Sequence, residues 1–193
     1  MRAMTATDVG PVAAAMARAF WDDPLQEWIF PDADSRLEQL VRMFDLQIRH
    51  SSLPLGESYV DESLACAALW SPPGHVPADD EAAMAMTPLV AIVGEAISRL
   101  RTAYRTMVDA HPKEPHFYLA GIGTEPRRQG EGLATAVLAP VLSRCDEESV
   151  PAYLESTKEG NVGFYEHRGF RVRDTIVAPP DGPRLWRMWR DPR

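Results

Sequence analysis

The sequence is poor in cysteine, has no surplus of positive charge and contains no long apolar run, and each shortage closes off a class of function. Cys66 and Cys145 are the only thiols in 193 residues. They lie far apart, without a second pair or a histidine at ligand spacing, so neither a disulfide framework nor a zinc site is expected. The expected setting is reducing and cytoplasmic, with no metal. Acidic residues outnumber basic ones by 28 to 20, leaving a net charge of −8. Such a chain lacks the positive footprint that grips phosphate backbones, and nucleic acid is not an expected partner. No stretch reaches the roughly 18 uninterrupted apolar residues of a spanning helix, so no membrane partner is expected. The alanine-rich residues 9–20 imitate a signal-peptide core. However, Asp8 precedes them, Arg18 interrupts them and no small-residue cleavage site follows, so they read as a first helix.

Against these absences, 45% of the residues are hydrophobic and 25% charged, ordinary values for a chain that folds around one core. Residues 1–193 read as a single domain, with no internal repeat and no linker. Thr7 is placed to cap a helix that aligns Val9, Val12, Met16 and Phe20. A second helix is expected over about residues 34–50, after an aromatic-rich connection. Residues 58–61 and 64–70 read as a hairpin. Apolar residues recur at helical spacing from about Pro88 to Val108. The last third alternates: a strand over 116–124, a helix over 132–145, a strand over 152–156, a short helix over 161–168, and strands over 170–177 and 185–189. That order indicates an α/β or α+β layer around a mixed sheet.

The richest segment is Gly121-Ile122-Gly123-Thr124-Glu125-Pro126-Arg127-Arg128-Gln129-Gly130-Glu131-Gly132-Leu133-Ala134, a strand passing through a glycine turn into a helix. Such a turn aims unpaired N–H groups and the positive end of a helix dipole at one point, which suits a pyrophosphate. A P-loop would need a glycine-lysine-serine or threonine ending, and a dinucleotide fingerprint three spaced glycines with a later acid; neither fits. The pattern Gln129-x-x-Gly132-x-Ala134 resembles the acetyl-CoA pyrophosphate loop of the GNAT superfamily of N-acetyltransferases. Downstream, Ala152-Tyr153-Leu154-Glu155-Ser156 and then Asn161 to Phe170, with its tyrosine-x-x-x-glycine-phenylalanine ending, resemble that superfamily's fifth strand and fourth helix. Within the superfamily, residues 111–115, 150–155 and 182–184 are similar to the branch containing puromycin N-acetyltransferase. The sequence departs from the family pattern in two places. Only residues 2–4 remain for the first strand, and Glu131 sits where a basic or neutral residue is usual.

The resemblance implies a GNAT fold: an α/β (α+β) domain whose mixed, mostly antiparallel central sheet has a splayed fourth and fifth strand pair, flanked by helices. Acetyl-CoA is the implied co-substrate and a small-molecule primary amine the implied acceptor, acetylated by direct attack in a ternary complex. The implied cofactor contacts are the backbone of Ile122 toward the acetyl carbonyl and of Thr124 toward the pantetheine amide. Gly123, Gly130, Gly132, Leu133 and Ala134 complete the cradle, with Gln129, Arg127, Arg128 and Asn161 around it. Gly121 and Gly123 flank Ile122 as they would at a bulge. Tyr165 matches the family's general acid and is otherwise a core aromatic. Glu155 is either the base or a structural partner. Asn161 is either a plain helix cap or a cofactor contact, and Arg127 and Arg128 either touch phosphates or keep the turn soluble. His116 and Tyr118 share a strand face and could line the acceptor cavity. Trp21, Trp28 and Phe30, with Phe44, either roof that cavity or pack in the core. His50 and His111 read as solvated, His167 as exposed, and both cysteines as inert. Trp186, Met188 and Trp189 form either a dimer face or ordinary strand packing, so both monomer and homodimer stay open. Two other readings remain: acetylation of a protein N-terminus or lysine, and a non-catalytic acyl-CoA-binding regulatory domain.

Overall fold

The computed structural model describes residues 1–75, 96–179 and 181–193. Its seven strands are β1 (Arg2–Ala3), β2 (Tyr59–Val60), β3 (Cys66–Ser71), β4 (Phe117–Thr124), β5 (Ala152–Ser156), β6 (Arg171–Val177) and β7 (Arg184–Arg190). They form one sheet in the order β1-β2-β3-β4-β5-β7-β6. β4 runs parallel to β5, and the other neighbouring pairs are antiparallel. This is the expected mixed, mostly antiparallel sheet, and its first strand is indeed two residues long. The α-helices are α1 (Val9–Ala19), α2 (Pro24–Ile29), α3 (Ala33–Gln47), α4 (Ile97–Ala110), α5 (Leu133–Glu147) and α6 (Val162–Glu166). The expected helix over 88–108 is seen from residue 97; its beginning, with Leu89 and Val93, lies outside the described residues.

Two helix starts differ from the sequence reading. The entry to α1 is made by Thr5, where Thr7 was expected, through a short 3-10 turn, Ala6–Asp8. The Asp8 carboxylate accepts from the Thr5 N–H at 2.8 Å and from the Arg2 guanidinium at 2.6 and 2.8 Å. That guanidinium holds the Asp8 carboxyl well below its ordinary range. The aromatic-rich connection contains α2, which begins at Pro24 with Asp23 as its cap, accepting from the N–H groups of Leu25 and Gln26 at 3.0 and 3.2 Å. The Asp-Pro pair is a helix-start signal, hidden here by the six-residue length of the helix.

Both faces of the sheet are covered over β3, and this inner strand is buried along its whole length. Its Ala67 and Leu69 join Val12, Met16, Leu40 and Phe44 under α1 and α3. Its Ala68 and Trp70 join Val137, Leu138, Val141 and Tyr165 under α5 and α6. A bulge in β4 positions the site: Leu69 pairs with Gly121 but Trp70 with Leu119, so Ala120 is the extra residue. The bulge changes the phase of the strand. Phe117 and Leu119 point to the α5 side. Beyond the bulge Gly121 and Gly123 meet Met16 of α1, so close that a Cβ on Gly123 would lie 2.7 Å from the Met16 sulfur. Of the two readings left open for Trp186, Met188 and Trp189, strand packing describes Met188 and Trp189, which are buried within the chain on the inner strand β7, while Trp186 is part-buried beside them. No helix among the described residues is long and apolar enough to cross a membrane.

Candidate active site

β4 and β5 pair only at Phe117–Ala152 and Tyr118–Tyr153, after which the strands part. The polar groups left unpaired along this gap follow from the ladder of β4 with β3. Glu125 donates its N–H to the Ala65 carbonyl at 2.7 Å, whereas the Cys66 carbonyl accepts from Asp61 on the other side of β3 at 3.1 Å. Antiparallel pairs alternate between bonded and non-bonded. The N–H and C=O of Thr124 and Ile122 therefore face away from β3, toward the gap. The Thr124 carbonyl accepts from the Gln129 side chain at 3.4 Å, and the Thr124 hydroxyl donates to the Cys66 sulfur at 3.1 Å. Burial pushes the Cys66 thiol up to about 11 and the Cys145 thiol up to about 12, which leaves both protonated and unreactive.

The gap opens into a cavity of about 1480 Å³. That exceeds the roughly 1,000 Å³ that usually bounds a single small-ligand site. One end is the glycine turn. Gly130 and Gly132 have φ of +83° and +81°, a left-handed conformation that favours glycine, and a Cβ on either would point into open space. The first bond of α5 runs from the Ala136 N–H to Gly132 O, so the N–H groups of Leu133, Ala134 and Thr135 have no partner within the helix. Arg128 and Gln129 line this end and Arg127 does not. Glu131 is answered locally: its carboxylate accepts from Arg128 at 2.7 and 2.8 Å, while Arg128 also reaches the Ser63 hydroxyl at 3.2 Å. Asn161, at the N-cap position of α6, lines the cavity, and its side chain makes no capping hydrogen bond.

Tyr165 and Glu155 stand on the cavity wall. Tyr165, on α6, is buried. Burial, then the nearby Asp23 carboxylate, raises its phenol well above the ordinary range, so it stays protonated at working pH. Glu155, on β5, accepts from the Tyr153 hydroxyl at 2.7 Å. Burial pushes its carboxyl up to about 7, against the opposing hydrogen bonds of Tyr153 and Tyr118 and the charge of Arg187. A carboxylate with that proton affinity exchanges protons readily near neutrality.

The structure divides the expected acceptor-side residues. Tyr118 lines the cavity, as do Trp21, Phe20 and Phe44. Phe30 does not: it is 1% exposed, in the core under α3. Trp28 does not either; Arg99 lies 5.8 Å over its ring and donates to its carbonyl at 2.9 Å. His116 is buried behind the cavity, facing the Glu114 carbonyl through Nδ1 at 2.6 Å and His111 at 3.1 Å. His111, expected in solvent, is half-buried on the cavity wall. Burial and the neighbouring His116 lower it to about 4, so it is neutral at working pH. His50 and His167 are exposed as expected. Sequence reasoning missed Asp23 and Gln26, both on the cavity wall. The Asp-Pro pair was the available signal for the first; only packing shows the second. No group of three or more His, Cys, Asp or Glu among the described residues stands at metal-binding spacing.

This fold has known counterparts. Residues 14–170 match the profile of the Acetyltransferase (GNAT) family, and the chain belongs to that family of acetyl-transferring enzymes, which use acetyl-CoA as co-substrate. An uncharacterised N-acetyltransferase of Schizosaccharomyces pombe is 25% identical, over 93% of this chain and 77% of its own length. The solved structure of histone acetyltransferase HPA2 and related acetyltransferase from Corynebacterium glutamicum is 26% identical, with a TM-score of 0.75 over 100% of this chain and 95% of that one. Arylalkylamine N-acetyltransferase 2 from Aedes aegypti shares the fold at 14% identity, with a TM-score of 0.62 over 98% and 97% of the two chains.

Proposed function

We propose that the protein transfers the acetyl group of acetyl-CoA to a primary amine on a small molecule, by direct attack in a ternary complex. The observation that carries this reading is that Glu155 and Tyr165 line one cavity, opened where β4 parts from β5. The residues fit the co-substrate. The glycine turn and the free N–H groups of the first turn of α5 suit the pyrophosphate, with Arg128, Gln129 and Asn161 beside it and Arg127 free in solvent. The outward-facing groups of Ile122 and Thr124 suit an extended pantetheine lying as a strand. Acetyl-CoA supplies the activated thioester. Glu155 takes the proton of the ammonium group, leaving a neutral amine lone pair to form the new C–N bond. The backbone N–H of Ile122 stabilises the oxyanion. Tyr165 gives its hydroxyl proton to the departing thiolate as the C–S bond breaks, and the second proton, shed by the newly acylated nitrogen, restores the phenol.

A small acceptor is favoured by the way the cavity is walled. Asp22 pairs with Lys158 at 2.6 Å, and the Thr157 hydroxyl donates to Asp23, so the loop before α2 is tied to the loop after β5. A protein substrate would need an open groove there. Phe20, Trp21, Phe44 and Tyr118 make the wall aromatic, which suits an aromatic or amphipathic amine. The resemblance of residues 110–193 to the puromycin N-acetyltransferase branch adds aminonucleosides to the candidates, and arylalkylamine acetyltransferases share the fold. The test is a thiol-release screen of the purified protein with acetyl-CoA and a panel of arylalkylamines, aminonucleosides, polyamines and lysine peptides. Saturable turnover on a small aromatic amine is expected. Turnover confined to the peptides would refute the reading.

A further inference from the structure

Glu155 stands directly opposite Arg187 in the β5–β7 ladder, and Arg187 stands directly opposite Asp174 in the β6–β7 ladder. One face of the sheet therefore carries a row of acid, base and acid on three adjacent strands. Directly opposed residues have Cβ atoms about 5 Å apart, so the guanidinium has a carboxylate within reach on either side. It takes Asp174, donating at 2.9 and 3.0 Å. Its other donors go to the Tyr153 hydroxyl at 3.0 Å and to the Ala110 carbonyl at the end of α4. Among the described residues no ion pair joins Arg187 to Glu155. Tyr153 connects the two, accepting from Arg187 and donating to Glu155 at 2.7 Å.

We propose that Arg187 is a positioning residue for Glu155, held off its carboxylate by Asp174 and acting on it through the Tyr153 hydroxyl. The arrangement solves a conflict in the chemistry. A base that pairs directly with a guanidinium is a poor base, and one buried with no cation near it holds its proton too tightly. The other groups facing this cluster are Tyr118 from β4, Tyr104 from α4, and His111 and His116 on the segment between α4 and β4. Burial lowers both histidines, which leaves Arg187 as the cation acting on Glu155. The exposed half of the Asp174 side chain makes that residue the one to change.

This inference rests on Glu155 being the base, and the test separates the two claims. In the full-length protein, the carboxyl carbon of Glu155 is followed by carbon-13 NMR across pH, assigned with E155Q, alongside the pH profile of kcat/KM. Asp174→Asn frees the guanidinium to pair with Glu155, and both the resonance and the acid limb of the profile are expected to move down by about one pH unit. Arg187→Gln is expected to move both upward by a similar amount. Should Arg187→Gln fail to fold, Asp174→Asn decides alone. A Glu155 resonance that stays in place, or moves up, in folded Asp174→Asn overturns the proposal. A resonance that moves as expected while the rate profile ignores it overturns instead the assignment of Glu155 as the base, and with it any positioning role.

Discussion

Replacing Glu155 by glutamine is expected to stabilise the protein above neutral pH while removing most of its activity. In the folded chain the Glu155 carboxyl holds its proton up to about pH 7, against an ordinary 4.5. Between those values the folded state binds more protons than the unfolded one, so stability falls as pH rises through this window. The difference, 7 − 4.5 = 2.5, at about 1.4 kcal/mol per pH unit, gives a cost of about 3 kcal/mol at pH 8. At pH 4.5 the same linkage leaves well under about 1 kcal/mol. Glutamine is nearly isosteric and can still accept from Tyr153 with its oxygen, but has no charge to bury. Urea unfolding followed by tryptophan fluorescence is the assay. E155Q should unfold at higher urea at pH 8, with a thermal midpoint raised by roughly 6–12 °C, and should approach the parent protein at pH 4.5. Its turnover should fall by about 10² or more. Equal stability of the two proteins at pH 8 would refute the argument, because it would mean that the carboxylate is not desolvated.

Three further outcomes follow from the same geometry. Tyr165→Phe should lower kcat by about a hundredfold with little change in KM for acetyl-CoA; unchanged turnover at every pH would remove Tyr165 as the acid. Gly123→Ala puts a methyl group 2.7 Å from the Met16 sulfur and 3.1 Å from the Ala19 methyl. It should cost about 1–3 kcal/mol in urea unfolding through overpacking, and a variant as stable as the parent would show that α1 yields freely. Glu131→Gln frees Arg128, whose pairing with it is exposed. The KM for acetyl-CoA should fall about two- to fivefold at low salt and the gain should vanish at high salt. A raised KM would show that the pair itself shapes the turn.

What the sequence revealed was whatever the backbone or a strong periodicity enforces. Gly130 and Gly132 advertise left-handed residues, so the turn and the start of α5 were legible, as was β5 to the residue. The bulge was expected near the glycines flanking Ile122 and falls at Ala120, two residues earlier, because its place depends on the pairing with β3. The acceptor wall was half legible. An aromatic residue packs equally well in a core or around a ligand, and nothing in the spacing of Trp21, Trp28, Phe30 and Phe44 separates the two fates. His111 read as solvated because it follows a helix; the rings of Tyr118 and Tyr153, 4.8 and 5.3 Å from it, close over it only when β4 folds back and pairs with β5. Arg187 and Asp174 carry no local signal, since their meeting with Glu155 is set by cross-strand register.

The most direct test of the central claim, that the gap between β4 and β5 and the glycine turn together hold acetyl-CoA, is a calorimetric titration of the purified protein with acetyl-CoA, with free CoA and with ATP. The account predicts saturable one-to-one binding of acetyl-CoA and CoA, with ATP giving no comparable signal. Tight ATP binding without CoA binding, or no saturable binding of acetyl-CoA at all, would contradict it.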